Sequence, residues 1–250
     1  MNRYTYRSAK ARWLVISASL LVAAACSGAA TGQSSTPTVR STVNPTSTPA
    51  PSTNASVTSI HASVIGSGDY PSFTVKAPAP WVTNGSFVMN DTGGVVLALS
   101  VWDVGRVPRN PCHWRGHLYD PGTRVDDLAA ALAAQPMRNA TTPTDVTLGG
   151  YRGRYLEWSV PAHMAVTGDA DFAGCSVFPS NGHRDFVSWF SKGGNGERYE
   201  QVAGQVDRLW VLNVNGQRLV VDATYSPNTT QAQRDELGQV AQSLRFVSPA

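Results

Sequence analysis

Apolar and β-branched residues crowd most densely over residues 206–225, VDRLWVLNVNGQRLVVDATY, where two runs flank Asn215-Gly216. That dipeptide suits a two-residue type I′ turn, because both central residues must take positive φ. The spacing predicts a β-hairpin. Its apolar side chains fall on both faces, Leu209 and Val211 against Trp210 and Leu212, so the hairpin is expected at a sheet centre, covered on both sides. Residues 73–76, 87–90, 95–104, 151–160 and 186–190 read as further strands, with 95–102 apolar on both faces and therefore also central.

Two stretches switch to helical period. Val125, Leu128, Ala129, Leu132 and Ala133 form one stripe, with Thr123 as the expected N-cap, acids at 126 and 127, and Pro136 beyond its end. Leu237, Val240, Ala241 and Leu244 form the other, opened by the capping-box pattern Thr230-Gln231-Ala232-Gln233. Strands outnumber helices and adjoin one another. The expected class is α+β, a largely antiparallel β-sheet packed with a few helices.

The order of these signals carries a resemblance. An opening with Phe73, Pro78 and Trp81, a late hairpin, and a final helix running into Ser243-Leu244-Arg245-Phe246 resembles the Mog1/PsbP-like sandwich. Asn110-Pro111-Cys112-His113-Trp114, residues 125–132, Asp145-Val146-Thr147-Leu148 and Val206-Asp207-Arg208-Leu209-Trp210 are similar to a family of actinobacterial envelope lipoproteins. The resemblance implies an actinobacterial envelope setting and a binding or assembly role. It supplies no catalytic residue.

Outside these elements the chain begins differently. Arg3, Arg7, Lys10 and Arg12 precede residues 13–25, WLVISASLLVAAA, a run without charge. Thirteen helical residues would reach about 20 Å, short of a bilayer core of about 30 Å, which suits a cleaved export signal over 1–25. Val22-Ala23-Ala24-Ala25-Cys26 resembles the lipobox of bacterial lipoproteins, although Ala23 stands where leucine is commoner. The resemblance implies a diacylglyceryl group on Cys26 and a membrane partner on the extracytoplasmic side. Two acyl chains suffice for stable anchoring.

Residues 26–60 are rich in Ser, Thr, Pro and Ala, with Arg40 the single charge. Such a segment cannot bury enough apolar surface to offset the entropy of ordering, and is expected to be a disordered tether. A single globular domain over 61–250 is expected to follow. Four of the 20 basic side chains lie in the first segment; the other 16 against 17 acids leave a net charge of −1. Lys76 and Lys192 are the only lysines after it. This composition excludes the electrostatic footprint of a nucleic-acid binder.

Candidate chemistry is sparse. Cys112 and Cys175 are the two cysteines left after Cys26, and an oxidising exterior favours their disulfide. His113 and His117 have zinc-like spacing, but Pro111 and Gly116 interrupt a helix there, so no metal and no cofactor is expected. The nucleophile motifs Gly-x-Ser-x-Gly and Ser-x-x-Lys are absent. Asp222 reads as a buried strand acid facing a pocket or paired with an arginine, and Glu157 shares the ambiguity. Trp114 and Trp189, flanked by loops, are the candidate exposed aromatics for an envelope protein, glycan or lipid partner. A non-enzymatic envelope binding module is the leading expectation, ahead of a sensor or spacer and of a hydrolase assembled from distant acids.

Overall fold

A computed structural model describes residues 56–247 except 67, 69, 93, 94, 169, 180, 181 and 195. The signal segment, Cys26 and the tether up to residue 55 lie outside the described residues. The first half holds β1 (Val57–Ala62), β2 (Ser72–Pro78), β3 (Val82–Thr83), β4 (Phe87–Thr92), β5 (Val95–Trp102), β6 (Val104–Pro108), β7 (Leu118–Tyr119) and α1 (Val125–Ala133). The second half holds β8 (Thr144–Leu148), β9 (Tyr151–Ser159), β10 (Val166–Thr167), β11 (Asp171–Phe172), β12 (Val187–Ser191) and β13 (Glu197–Tyr199). It closes with β14 (Val206–Val214), β15 (Gln217–Tyr225), α2 (Gln231–Gln242) and β16 (Arg245–Val247). The fold is α+β with antiparallel sheets, as the pattern implied.

A seven-stranded sheet in the order β3-β4-β5-β15-β14-β9-β8 forms the centre. The β14–β15 hairpin pairs from Val206↔Tyr225 to Val214↔Gln217, and Asn215 and Gly216 both take positive φ, 52° and 85°. The period-2 alternation of its strands then sorts side chains by face. Trp210, Leu212, Val221 and Ala223 face a core shared with α2 and with the three-stranded sheet β1-β2-β16. Leu209, Val211 and Val220 face a second core under α1 and the four-stranded sheet β13-β12-β6-β7. Both faces are covered, which is why the central strands read as continuous apolar runs. Gly153 in β9 is fixed by close approach: a Cβ there would lie 2.0 Å from the Val211 carbonyl oxygen on β14.

Several boundaries differ from the sequence expectation. The strand expected over 95–104 breaks at Asp103, where the chain leaves the central sheet as β5 and enters the four-stranded sheet as β6. Helix α1 is capped by Arg124, not Thr123. Asp127 accepts from the Arg124 backbone N–H at 3.2 Å while its carboxylate pairs with the Arg124 guanidinium at 2.9 Å. Thr230 caps α2 as expected, in a box with Gln233. The tether was expected to run to residue 60, yet Val57–Ala62 is a strand, in register with β2 from Val57↔Pro78 to Ala62↔Phe73. Ladder hydrogen bonds and the burial of Ile60 and Ala62 outweigh the Ser/Thr composition there.

Candidate functional site

Helix α2 packs on one face of the central sheet, over β5 and β15, and leaves a groove beside it. Leu237, Val240 and Ala241 are fully buried and seat the helix, and Trp81 donates from Nε1 to Glu236 Oε1 at 2.6 Å. On the sheet side, antiparallel register puts Arg208 opposite Glu157 and Trp210 opposite Tyr155, on the same face. Val146 of β8 extends that face. Together with Arg234, Asp235, Gly238, Gln239 and Gln242 of α2 they line a shallow, open groove of about 570 Å³.

The groove is built from planar groups held in place. Arg208 Nε lies 3.3 Å from Glu157 Oε2, and its Nη1 donates to the Arg234 carbonyl oxygen at 3.2 Å. The Arg208 and Arg234 guanidiniums lie 5.3 and 5.8 Å from the centre of one ring, that of Tyr225. Tyr155 packs against Trp210 with ring centroids 5.2 Å apart. Burial, with the nearby Glu157 charge, pushes the Tyr155 hydroxyl up to about 12, so it stays a hydrogen-bond donor at neutral pH. Gly238 sits where a side chain would enter the groove; a Cβ there would lie 3.7 Å from Arg208 Nη1.

The opposite face of the same sheet carries a different cluster. Arg198 of β13 donates from Nε to Asp222 Oδ2 at 2.5 Å and from Nη2 to Asp207 Oδ1 at 2.7 Å and Thr224 Oγ1 at 2.8 Å. Trp158 Nε1 donates to Asp207 Oδ2 at 2.8 Å. Arg138, its side chain fully buried between the Trp158 and Phe186 rings, reaches Glu200 Oε1 at 2.8 Å. Three carboxylates thus meet two guanidiniums. Burial, helped by the like charges of Asp207 and Glu200 and opposed by Arg198, pushes Asp222 up to about 7. Burial likewise raises Glu200, whereas Arg198 and Arg138 overcome burial to hold Asp207 low.

Asp222 is therefore the arginine-paired strand acid, sealed at 1% exposure. It shares no site with Glu157, which faces the groove on the other side of the sheet. Trp114 and Trp189, expected as exposed aromatics, are both buried. Trp189 packs between the two sheets, its ring 5.9 Å from Trp102 and 6.0 Å from Trp158. Trp114 donates from Nε1 to the Asp185 carbonyl oxygen at 3.1 Å and packs on Phe178 and Phe190.

A disulfide joins Cys112 to Cys175. Beside it Ser176 N–H donates to the Cys112 carbonyl oxygen at 2.7 Å and Val187 N–H to that of Pro111 at 2.9 Å, folding the loops over Trp114. His113 and His117 are exposed, and no group of three or more His, Cys, Asp and Glu among the described residues is arranged to hold a metal ion. Arg234, Tyr155 and Gly238 were not singled out from sequence. A glycine inside the amphipathic stripe of α2 is a signal that was there, since it costs about 1 kcal/mol against alanine and asks for a reason.

No protein-family model matches the chain, and no curated protein matches it. Among solved structures it is similar to LpqN of Mycobacterium tuberculosis, described as involved in cell envelope biogenesis. The identity is 12% and the TM-score 0.35, over 76% of this chain and 91% of that chain.

Proposed function

We propose that the protein is a lipid-anchored bacterial cell-envelope protein whose globular part is a non-enzymatic binding module, with the α2 groove as its binding site. The groove carries the reading: it is open to solvent and is lined by fixed planar polar groups around half-buried Tyr155. Against a hydrolase stands the placement of the acids. The three carboxylates that converge on Arg198 are sealed between two sheets, out of reach of a substrate. The lipobox resemblance at Cys26 and the charge-free run before it support the address.

In intact cells, a photo-reactive residue replacing Gln239 should form a covalent adduct with an envelope component. The adduct should be lost when Gly238→Leu fills the groove. The same reagent at Arg115, exposed and outside the groove, should not form it. An adduct that persists with Gly238→Leu would overturn the groove as the site.

A further inference from the structure

The chemistry of the groove narrows its ligand. Two guanidiniums, Arg208 and Arg234, face two carboxylates, Glu157 and Asp235, so the charges lining it cancel. Arg208 and Glu157 already neutralise one another at 3.3 Å. An anion entering beside the arginines would meet both acids, and a cation entering beside the acids would meet both arginines. At the spacing of a small site such like-charge contacts are as strong as the attractions they offset. The exposed lining is more apolar than polar, but the groove is open and would leave most of a hydrocarbon chain in water.

What suits the groove is a neutral molecule dense in hydroxyls. Guanidinium, carboxylate and side-chain amide each present two hydrogen-bonding atoms side by side in a plane, and vicinal hydroxyls present donors and acceptors at a matching interval. Arg234, Asp235, Gln239 and Gln242 supply such groups from α2, and Glu157 and Arg208 from the sheet. Half-buried Tyr155, backed by the buried Trp210 ring, offers one small apolar surface for the C–H face of a sugar ring. Gly238 opens the helix side in an otherwise well-packed α2. An open groove also accepts a stretch of a longer chain without a free end.

We propose that the groove formed by α2 with β9 and β14 binds an uncharged saccharide, as a short oligosaccharide or a segment of a longer glycan. This rests on the groove being the binding site.

The full chain, purified in a zwitterionic detergent without a sugar headgroup, is titrated with cellotetraose, maltotetraose and chitotetraose, and separately with tetragalacturonate. Binding is followed by tryptophan fluorescence and calorimetry. At least one neutral tetrasaccharide should bind saturably, with a Kd unchanged as salt rises from about 0.05 to 0.5 M, since screening acts only on charge. Arg234→Ala and Glu157→Gln should each weaken it about tenfold, the scale of one lost hydrogen bond to a charged group. Gly238→Leu should abolish it while the melting curve stays cooperative. Tighter binding of tetragalacturonate with a steep salt dependence would overturn the proposal, as would neutral binding that survives Gly238→Leu. No neutral binding while the Gln239 adduct still forms in cells would overturn the saccharide and leave the groove standing. Failure of both would remove the groove as well.

Discussion

Arg198 of the four-stranded sheet donates from Nε to Asp222 of the central sheet at 2.5 Å, with both side chains buried. This ion pair is the point at which two layers of the fold are tied by charge instead of by apolar packing. The cost of desolvating it is met only while every partner is present. Arg198→Met strands three carboxylates beside Arg138 alone and should destabilise the protein by about 3–5 kcal/mol. Urea unfolding checks the figure; a loss under 1 kcal/mol would mean that the layers are held by the apolar contacts alone.

The same cluster sets a pH dependence. Asp222 titrates at about 7 when folded against 3.8 for the free side chain, so between those values the folded state holds a proton that the unfolded chain has released. Stability from this group is full below about pH 4 and is lost as pH rises toward 7. Raised Glu200 acts in the same direction, and lowered Asp207 in the opposite one, its contribution being lost as pH falls below the usual aspartate value. Asp222→Asn keeps the shape and removes the titration. Its melting temperature should fall less between pH 4.5 and 7 than that of the parent. An unchanged slope would place the dependence elsewhere.

Gly238 separates helix energetics from groove occupancy. Its Cβ position is 3.7 Å from Arg208 Nη1, an ordinary contact, so alanine fits. Gly238→Ala should stabilise the protein by up to about 1 kcal/mol through helix propensity. Destabilisation by that variant would show that the helix sits closer to the sheet than the 3.7 Å spacing allows.

These tests rest on features that differ in how far sequence displayed them. The hairpin was legible because Asn215-Gly216 is a local rule with a local cause, and the Thr230–Gln233 box likewise. Burial of Trp114 and Trp189 was not. Loop-flanking residues suggest exposure, but here a cross-link between positions 63 apart in sequence folds one loop over Trp114, and β12 turns Trp189 into the layer between sheets. The groove was illegible for a similar reason: Glu157, Arg208 and Arg234 meet only because β9 pairs with β14 and α2 packs on the same face of the sheet beside them. Residues 57–60 have the composition of a tether, but the chain there pairs with β2, and Ile60 and Ala62 alternate with exposed neighbours as a strand does.

The disulfide clamps a small core of Val160, Phe172 and Phe186, and Phe186 in turn stacks on Arg138 at 4.6 Å. Opening the bond therefore loosens one wall of the buried charge cluster. Reduction, or Cys112→Ser, should lower the melting temperature by several degrees, given about 4 kcal/mol for closing a loop of this length. A linked peptide containing both cysteines should appear by mass spectrometry. Two reactive thiols in protein purified from cells would refute the bond.

The start of β1 gives a test of the tether. With Val57 paired to Pro78, the backbone from there on is held in a ladder, and a protease needs an extended, unpaired segment to cut. Limited proteolysis should cleave before about residue 56 and leave a core whose N-terminus lies just ahead of Val57. A core beginning at His61 or later would mean that the outer half of β1 opens in solution.

The remaining prediction concerns the anchor, because the groove can meet an envelope ligand only if the chain is held there. The charge-free run of residues 13–25 is too short for a permanent span, and no helix among the described residues is long and apolar enough to cross a membrane. In the proposed function, membrane retention comes from acyl chains on Cys26. One chain alone gives marginal binding, whereas the two of a diacylglyceryl group contribute about 0.8 kcal/mol for each buried methylene and hold the protein stably. Cys26→Ala should abolish labelling by a fatty-acid probe and either release the protein or leave its precursor uncleaved. An intact disulfide in the released form, shown by the absence of free thiols after unfolding, would establish that export still occurred. Unchanged membrane retention without the cysteine would show that some other element holds the protein, and would remove the lipid anchor from the proposed function.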